Sequence, residues 1–295
     1  MIELFEVSKR YGELVALDDV SFEVPAGSIT AFVGPNGAGK TTLMKIVCGL
    51  IDQTSGVAIV DGEPFSKARR PLQTLGVCLA PETLPAGMPG VRFLEYAARA
   101  EGGVHRSPRE LFRAVGLEDE KLAVGRYSTG MRQRLCIALA MLGEPANMVL
   151  DEPMNGLDLV GVRWLREMLR AEAARGAAIL LSSHILSELT IVADRVVMIS
   201  SGKIVREGSI NQVVAGHGPQ GVYVEGIDVM ALANMIAQAG WSSQTRGPGF
   251  LVGVEDPMLV ARHCIESNVS FTKLSQADGS LEDAFFATAR AQGVE

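Results

Sequence analysis

The sequence lacks any concentrated run of basic residues. Its 295 residues include 27 lysines and arginines against 34 aspartates and glutamates, which gives a formal net charge of −7 at pH 7. Binding to the phosphate backbone of nucleic acids depends on counterion release by a clustered basic surface. The composition therefore disfavours nucleic acid as a partner.

Cysteine is scarce, with four residues that form no CxxC pair and have no histidine spacing typical of a metal site. They are Cys48, Cys78, Cys136 and Cys264. We expect these cysteines to be small core residues in a reducing compartment.

Long apolar runs are also missing. Apolar stretches such as "CIALAML" are far shorter than the ~18 residues that a membrane-spanning helix needs. The opening segment, "MIELFEVSKRYGELVAL", does not have the basic region followed by an apolar core that marks a signal peptide. These absences predict a chain that is cytoplasmic and soluble by itself.

The first part of the chain alternates between strand-like and helix-like patterns. "GSITAFVG", "NMVLDEP" and "AAILLSSH" have the continuous apolar character of buried strands, with helical spacing between them. Residues about 81–141 carry helical spacing with Pro and Gly boundaries, which predicts a helical insertion. We therefore predict an α/β domain with a largely parallel sheet over residues 1–215.

A second, smaller domain is predicted after a linker. The stretch "GHGPQG", residues 216–221, has three glycines and a proline in six positions. Residues 222–295 follow the order strand, helix, strand, strand, helix, strand, which indicates a small α+β unit of the ferredoxin-like type. A closing helix is predicted from Leu281, with Ser280 as its N-cap.

The stretch "GPNGAGKTT", residues 34–42, fits the P-loop (Walker A) pattern GxxxxGK[ST] between a predicted strand and a predicted helix. Its glycines let backbone N–H groups surround phosphate oxygens, while Lys40 reaches the β- and γ-phosphates and the Thr41 hydroxyl ligates Mg²⁺. We assign nucleotide binding in this loop to the following residues: Gly34, Asn36, Gly37, Gly39, Lys40, Thr41 and Thr42.

Two adjacent carboxylates follow an apolar strand in "NMVLDEP". Asp151 is suited to hold the Mg²⁺ shell through water, and Glu152 to polarise an attacking water. By itself this pair also fits an ordinary turn at the end of a strand. Together with the P-loop, the pair favours a catalytic site.

Five motifs in this order, "GPNGAGKTT", "YSTGMRQRL", "VLDEP", "NGLD" and "LLSSH", look like those of ATP-binding cassette (ABC) transporter ATPase subunits over about residues 1–215. The resemblance implies a P-loop NTPase of the ABC ATPase fold. In this fold a mixed, largely parallel sheet is accompanied by an antiparallel β subdomain and a helical insertion. It also implies ATP hydrolysis with ATP and Mg²⁺ as cofactors.

The stretch "YSTGMRQRL" resembles the family signature, which faces the ATP held on the P-loop of a second subunit. Ser128 and Gly130 would then cap the γ-phosphate at a helix start, where the helix dipole favours negative charge. Alternatively, Ser128 is an ordinary N-cap that serves its own helix. One P-loop and one signature per chain imply two copies of the chain or a close homologue as partner.

The resemblance gives roles to three further residues. Asp158, in the loop after the catalytic Glu152, would be a communicating carboxylate at the subunit interface. His184 resembles the switch histidine that contacts the γ-phosphate and holds the attacking water. Tyr11 is similar to the aromatic residue that stacks on adenine, although an exposed turn tyrosine is the alternative.

One position departs from the family pattern. Where the family has a glutamine that donates its carbonyl oxygen to Mg²⁺, this sequence has Ala80, with Glu82 two residues later. Either Glu82 takes the place of the glutamine as a metal ligand, or water replaces it and Thr41 and Asp151 hold the metal alone. We expect slower turnover or altered coupling from the missing amide.

Residues 222–295 resemble the C-terminal extension of ABC subunits from the drug, antibiotic and polysaccharide exporter branch, notably at "SLEDAFFATA". The resemblance predicts the ATPase of an exporter that lies on the cytoplasmic face of the membrane and drives a separately encoded polytopic permease. The alternative is a soluble ABC ATPase that acts in translation or DNA maintenance. The sequence does not encode the transported substrate.

Overall fold

A computed structural model describes residues 1–104, 106–214 and 221–276, together with Leu281 and Phe285. The chain divides into two compact units, Met1–Ile210 and Asn211–Glu295. The predicted linker, 216–221, lies outside the described residues except for Gly221.

The strands of the first unit form two sheets. They are β1 (Ile2–Tyr11), β2 (Leu14–Val24), β3 (Ile29–Val33), β4 (Ser55–Val60), β5 (Leu75–Cys78), β6 (Asn147–Leu150), β7 (Ala178–Ser182), β8 (Arg195–Ser200) and β9 (Lys203–Ser209). One sheet has the order β2-β1-β4 and is antiparallel. The other has the order β5-β6-β7-β3-β8-β9, in which the first five strands are parallel and β9 is antiparallel to β8.

The strand order of the larger sheet determines where the site lies. All five residues of β3, and all of β6 and β7, are buried, as expected for parallel strands covered on both faces. β7 lies between β6 and β3, so the carboxyl ends of these three strands meet at one edge. In open α/β sheets, ligands bind beyond the carboxyl ends of the strands.

The helices of the first unit connect these strands. They are α1 (Lys40–Val47), α2 (Pro71–Thr74), α3 (Gly90–Ala100), α4 (Pro108–Ala114), α5 (Thr129–Met141), α6 (Leu159–Ala174), α7 (Leu186–Val192) and α8 (Ile210–Val214), the last of which spans the division between the units. Short 3₁₀ turns occur at Phe65–Lys67, Pro81–Thr83 and Val124–Arg126. The stretch 81–141 thus contains α3, α4 and α5 and no strand among its described residues.

Local sequence explains the start of two helices that matter for the site. Ser128 is the N-cap of α5, and its hydroxyl accepts from the backbone N–H of Met131 at 3.2 Å. Asp158 is the N-cap of α6, and its carboxylate accepts from the N–H of Gly161 at 2.8 Å. Each cap satisfies an N–H group that has no partner inside its helix.

The second unit contains β10 (Val222–Gly226), α9 (Val229–Gln238), β11 (Ser243–Arg246), β12 (Gly249–Val252), α10 (Pro257–Glu266) and β13 (Phe271–Gln276). Its sheet has the order β11-β12-β10-β13, with every pair antiparallel. A separate apolar core lies within this unit and includes Val222, Leu232, Ile236, Val252 and Val260. The element order is the predicted one. The predicted closing helix lies outside the described residues apart from Leu281 and Phe285.

The structure confirms the predicted fold class, a mixed α/β domain with a largely parallel sheet, an antiparallel subdomain and a small α+β part. All four cysteines are free and buried. Among the described residues, no helix combines the length and apolar character needed to cross a membrane.

Candidate active site

The P-loop joins the end of β3 to the start of α1. Gly37 and Gly39 have φ values of 81° and 106°, a region that L-residues with side chains rarely adopt. A Cβ on Gly34 would collide with the carbonyl oxygen of Ile199 on the neighbouring strand β8. These positions therefore require glycine, for backbone conformation in two cases and for close approach in the third.

Lys40 lies folded back over the loop. Its ammonium donates to the carbonyl oxygens of Gly34 at 2.7 Å and Pro35 at 3.2 Å. Burial lowers the pKa of Lys40 below its ordinary value, and the carboxylates of Glu152 and Asp151 act in the opposite direction. A phosphate in the loop would offer this ammonium a charged partner in place of neutral carbonyls.

Asp151 and Glu152 follow β6 at the same sheet edge. Asp151 Oδ2 accepts from the Thr41 hydroxyl at 2.7 Å, and its Oδ1 accepts from the hydroxyl of Ser182 at the end of β7. The Ser182 oxygen also accepts from the backbone N–H of Glu152 at 2.9 Å. One hydroxyl thus holds both acidic residues in place.

His184 reaches Glu152 from the loop after β7. Its Nδ1 lies 2.7 Å from Glu152 Oε2, and its backbone N–H donates to the same oxygen at 3.2 Å. Two contacts from one residue fix the orientation of the Glu152 carboxylate. The arrangement can hold a carboxylate beside a water molecule that attacks a phosphate.

A cavity of about 370 Å³ brings these groups together. Its lining includes residues of the P-loop, both acidic residues and the end of the antiparallel sheet: Tyr11, Leu14, Val15, Ala16, Asn36, Gly37, Gly39, Lys40, Thr41, Thr42, Asp151 and Glu152. Tyr11 is 49% exposed, with the Lys9 ammonium 5.0 Å from its ring centroid. The P-loop and an aromatic side chain therefore line the same cavity.

The stretch "YSTGMRQRL" reaches the acidic pair through a different cavity, which Thr129 and Gln133 line together with Asp151 and Glu152. Ser128 is exposed, and among the described residues neither it nor Gly130 lines the P-loop cavity. Gly130 packs against the loop that follows Glu152, since a Cβ on it would lie 2.5 Å from the carbonyl oxygen of Gly156. Asp158, at the end of that loop, also lies outside the P-loop cavity.

Comparisons with known proteins agree with these motifs. The ABC transporter family profile matches residues 17–155. The lantibiotic transport ATP-binding protein SrtF of Streptococcus pyogenes is 37% identical over 208 residues, which cover 70% of this chain and 90% of the relative. This chain belongs to the ABC transporter ATP-binding proteins. It is an ABC ATPase, and it binds ATP.

Two further relatives of this ABC ATPase extend the comparison. The Nod factor export ATP-binding protein I of Burkholderia lata is 32% identical over 264 residues, 87% of this chain and 86% of the relative. A solved structure described as the ATP binding subunit of an ABC transporter is 29% identical, with a TM-score of 0.66. It covers 72% of this chain and 91% of that chain. The 264-residue match is longer than the first unit, so it extends into the second.

The position that departs from the family pattern lies beside the acidic pair. Ala80 precedes a 3₁₀ turn, and its carbonyl oxygen accepts from the backbone N–H and the hydroxyl of Thr83. Glu82, in that turn, lines a second cavity of about 340 Å³ together with Asp151 and Glu152. Glu82 thus shares a cavity with the acidic pair, two residues after Ala80.

Sequence reasoning missed Ser182 and Gln133. Ser182 is the last residue of a wholly buried strand. A hydroxyl at such a position indicates a hydrogen-bond partner on a neighbouring strand, which here is Asp151 after β6. Gln133 is buried in α5, lines the second cavity and donates to the Cys78 sulfur at 3.5 Å. Its signal is a long polar side chain within an otherwise apolar helix face.

Proposed function

We propose that this ABC ATPase is the ATP-hydrolysing subunit of an exporter and that two chains enclose two ATP molecules between them. The observation that carries the two-chain site is the exposed Ser128 at the start of α5, outside the chain's own P-loop cavity. The Ser128 oxygen accepts from its own helix, and its O–H remains able to donate to a phosphate. Ser128 and Gly130 of one chain complete the site of the other, and the second chain is another copy or a close homologue.

The donor set at the P-loop suits a magnesium ion. Thr41 Oγ1 and Asp151 Oδ2 lie 2.7 Å apart and are hard oxygen donors, the type that Mg²⁺ prefers. Thr41 and Asp151 would hold the ion, Asp151 through water, and Glu82, which shares the second cavity with Asp151, is the further candidate carboxylate. Bound Mg²⁺ neutralises charge on the β- and γ-phosphate oxygens.

The protein residues divide the chemical work among them. Lys40 exchanges its contacts with Gly34 and Pro35 for the phosphates when ATP enters. Asn36, Thr42 and the P-loop glycines surround the phosphates, and Tyr11 stacks on adenine. Glu152 polarises the attacking water, while the His184 Nδ1 contact orients Glu152 and leaves Nε2 available to the γ-phosphate. Asp158 passes the state of one site to the other.

The export role is supported by the relatives. SrtF is named for lantibiotic transport and the Burkholderia protein for Nod factor export, so this chain is proposed to drive export through a separate polytopic permease. It would bind that permease at the cytoplasmic face of the cell membrane. The acidic composition and the motif set give no support to the alternative role in translation or DNA maintenance.

Glu152→Gln tests the two-chain site directly. The amide keeps the shape of the side chain but cannot act as a base, so hydrolysis should stop while ATP binding persists. We expect the variant to be monomeric without nucleotide and dimeric with ATP, as measured by light scattering after size exclusion. Ser128→Arg in the same background should remain monomeric with ATP, because the larger side chain would occupy the space between the start of α5 and the partner's ATP. A Glu152→Gln variant that remains monomeric at saturating ATP contradicts the proposal.

The export role needs a second measurement. Purification of the tagged chain from detergent-solubilised native membranes should recover a stoichiometric polytopic membrane protein. Recovery with ribosomes or DNA-repair proteins alone would overturn the exporter assignment and leave the ATPase intact.

A further inference from the structure

Arg134 links α5 to the end of the loop after Glu152. Its side chain is only 20% exposed, and its Nη1 donates to the carbonyl oxygen of Val115 at 2.9 Å. Its Nη2 lies 3.5 Å from Asp158 Oδ1, and its guanidinium carbon lies 5.4 Å from the centroid of the Trp164 ring. The guanidinium thus contacts three segments: the end of α4, the N-cap of α6 and the second turn of α6.

Two glycines leave room for this guanidinium. A Cβ on Gly116 would lie 2.8 Å from Arg134 Nη1, and a Cβ on Gly161 would lie 2.8 Å from both Arg134 Nη2 and Asp158 Oδ1. Gly161 lies in the first turn of α6, where glycine has a lower helix propensity than alanine. The space that the guanidinium needs accounts for a glycine at this position.

The far end of α5 is also fixed to α6 by charged groups. Glu172 of α6 is buried and pairs with Arg106 at 2.7 Å and with Arg175 at 2.6 Å. Glu144, just beyond α5, pairs with the same two arginines at 3.2 and 3.7 Å. Charged contacts therefore join both ends of α6 to α5 or to the residues just beyond it.

The two helices joined in this way, α5 and α6, begin in different parts of the proposed two-chain site. α5 begins with Ser128, which would read the partner's nucleotide, and α6 begins at Asp158, in the loop that leaves Glu152. The close packing of Gly130 against Gly156 adds a direct backbone contact between the same two parts. A displacement of the signature would therefore be carried to the loop that holds the chain's own catalytic carboxylate.

We propose that Arg134 is a positioning residue that couples the partner's nucleotide, read at Ser128, to Glu152 in the chain's own site. This inference rests on the proposed two-chain site. Arg134 touches neither the P-loop cavity nor the groups that hold the phosphate, and it acts through the loop that contains Gly156 and Asp158. Removing it should leave nucleotide binding by a single chain intact and weaken the steps that need both chains.

The test compares Arg134→Met with Arg134→Lys and with the control Arg163→Met. Arg163 lies on the exposed side of α6 and pairs only with Glu167, one turn away, among the described residues. Methionine keeps a long side chain beside Trp164 and removes the charge, whereas lysine keeps a charge without the planar donors that reach Val115 and Asp158 together. Gly161→Ala should displace the guanidinium without removing it, so it provides a second test if Arg134→Met does not fold.

Three measurements separate coupling from simple stability. In Arg134→Met and Gly161→Ala, the Kd of the monomer for ADP should stay within about twofold of the parent, while kcat falls about tenfold, the range of a coupling residue. In the Glu152→Gln background, Arg134→Met should weaken ATP-driven dimerisation by a similar factor. Arg134→Lys should be intermediate, and Arg163→Met should match the parent. A loss of ADP affinity equal to the loss of kcat would overturn the inference.

Hydrogen exchange of the isolated monomer distinguishes failure of this inference from failure of the two-chain site. Amides of residues 153–160 should exchange faster in Arg134→Met than in Arg163→Met. If the Glu152→Gln parent never dimerises, the two-chain site is wrong, and faster exchange then limits Arg134 to a structural role. If the parent dimerises normally and Arg134→Met leaves both exchange and kcat unchanged, only the coupling inference fails.

Discussion

At the residue scale, Glu152 is held in an unusual backbone conformation. Its φ of 50° lies in the left-handed region, which a non-glycine residue seldom adopts. Strain of this kind persists where surrounding contacts over-determine the conformation. The contacts here are the Ser182 hydroxyl at the backbone N–H and His184 at the carboxylate. The carboxylate that we propose as the catalytic group is thus held in place by the protein's own contacts.

Ser182→Ala should reduce hydrolysis more than nucleotide binding. The variant removes one hydroxyl that donates to Asp151 and accepts from the Glu152 backbone, and loss of such an orienting contact typically costs 10–100-fold in metal affinity or activity. We expect kcat to fall within that range while the Kd for ADP without metal changes less than about twofold. The measurement is steady-state hydrolysis alongside calorimetric binding.

Ser183→Ala is the matched control for Ser182→Ala. Ser183 is also buried, but its hydroxyl accepts from the Ile185 N–H and touches neither acidic residue. Equal losses of kcat in the two variants would mean that the Ser182 contacts do not position the acidic pair.

Lys40 should make nucleotide affinity depend on pH below the ordinary lysine range. Burial lowers the pKa of its ammonium from the ordinary value of 10.5, so the charge is lost at a lower pH than for an exposed lysine. Phosphate binding favours the charged form, and affinity for ADP should therefore be constant near neutral pH and fall as the pH rises toward 10.5. Titration calorimetry across this pH range gives the profile.

Lys40→Arg separates this effect from general alkaline damage. Arginine stays charged throughout this pH range, so the ADP affinity of the variant should not fall as the pH rises. Its affinity at neutral pH should be weaker, because a guanidinium does not fit the place of the compact ammonium. A parallel decline in both proteins would place the titrating group elsewhere.

The residues that the sequence could predict are those that lie within contiguous motifs. The P-loop, Asp151, Glu152 and His184 lie in short contiguous patterns, and the structure places them at one sheet edge. The Ser182 contacts could not be predicted, because they require β6 and β7 to be neighbours in the sheet. A local motif does not specify which strand lies beside it. For the same reason the position of Arg134 against Trp164 was not foreseen, although Arg134 lies inside a motif.

At the scale of elements, the turn between β8 and β9 uses an unfavourable residue. Ser200 pairs with Lys203, so Ser201 and Gly202 form a two-residue turn with φ values of 48° and 78°. Such turns need positive φ at both positions, and asparagine adopts this conformation more readily than serine. Serine at position 201 is therefore a poor match to the backbone conformation that this turn requires.

Ser201→Asn should stabilise the first unit by about 0.5 kcal/mol, and Ser201→Val should destabilise it by ~1 kcal/mol or more, because β-branched residues disfavour positive φ. The midpoint of urea unfolding, followed by circular dichroism, measures both changes. If the Ser201→Val and Ser201→Asn variants unfold at the same urea concentration, residue 201 does not have the positive φ that the structure shows.

Element types were more predictable than their pairing. Continuous apolar runs correctly predicted β3, β6 and β7, and the strand and helix order of the second unit was also correct. The insertion of β3 between β7 and β8 has no local signal, because the partners lie far apart in sequence. The antiparallel direction of β9 follows from its short turn after β8, which the patterns did not reveal.

At the scale of the whole molecule, the two units have separate apolar cores. The core that includes Phe32, Leu43 and Val149 belongs to the first unit, and the core that includes Leu232 and Val252 belongs to the second. Every residue of the P-loop cavity lies in the first unit. A ligand that binds only the folded first unit stabilises that unit by mass action.

We therefore expect two transitions in calorimetry, of which only one responds to nucleotide. ADP at about 100 times its Kd should stabilise the first unit by ~2.7 kcal/mol and raise its Tm, with the other transition unchanged. Removal of residues 215–295 should abolish the unresponsive transition. A single transition that moves as a whole with ADP would mean that the units unfold together.

The central position of β3 also dictates when the site can form during synthesis. The P-loop leaves the ribosome early, yet β3 cannot enter its sheet until β7 and β8 have been translated. At ~5–20 residues per second, the nascent chain spends on the order of ten seconds with β3 unpaired and its apolar residues uncovered. A ribosome-bound chain that ends before β7 should thus bind no nucleotide, and chaperones have their main opportunity to engage the protein during this interval.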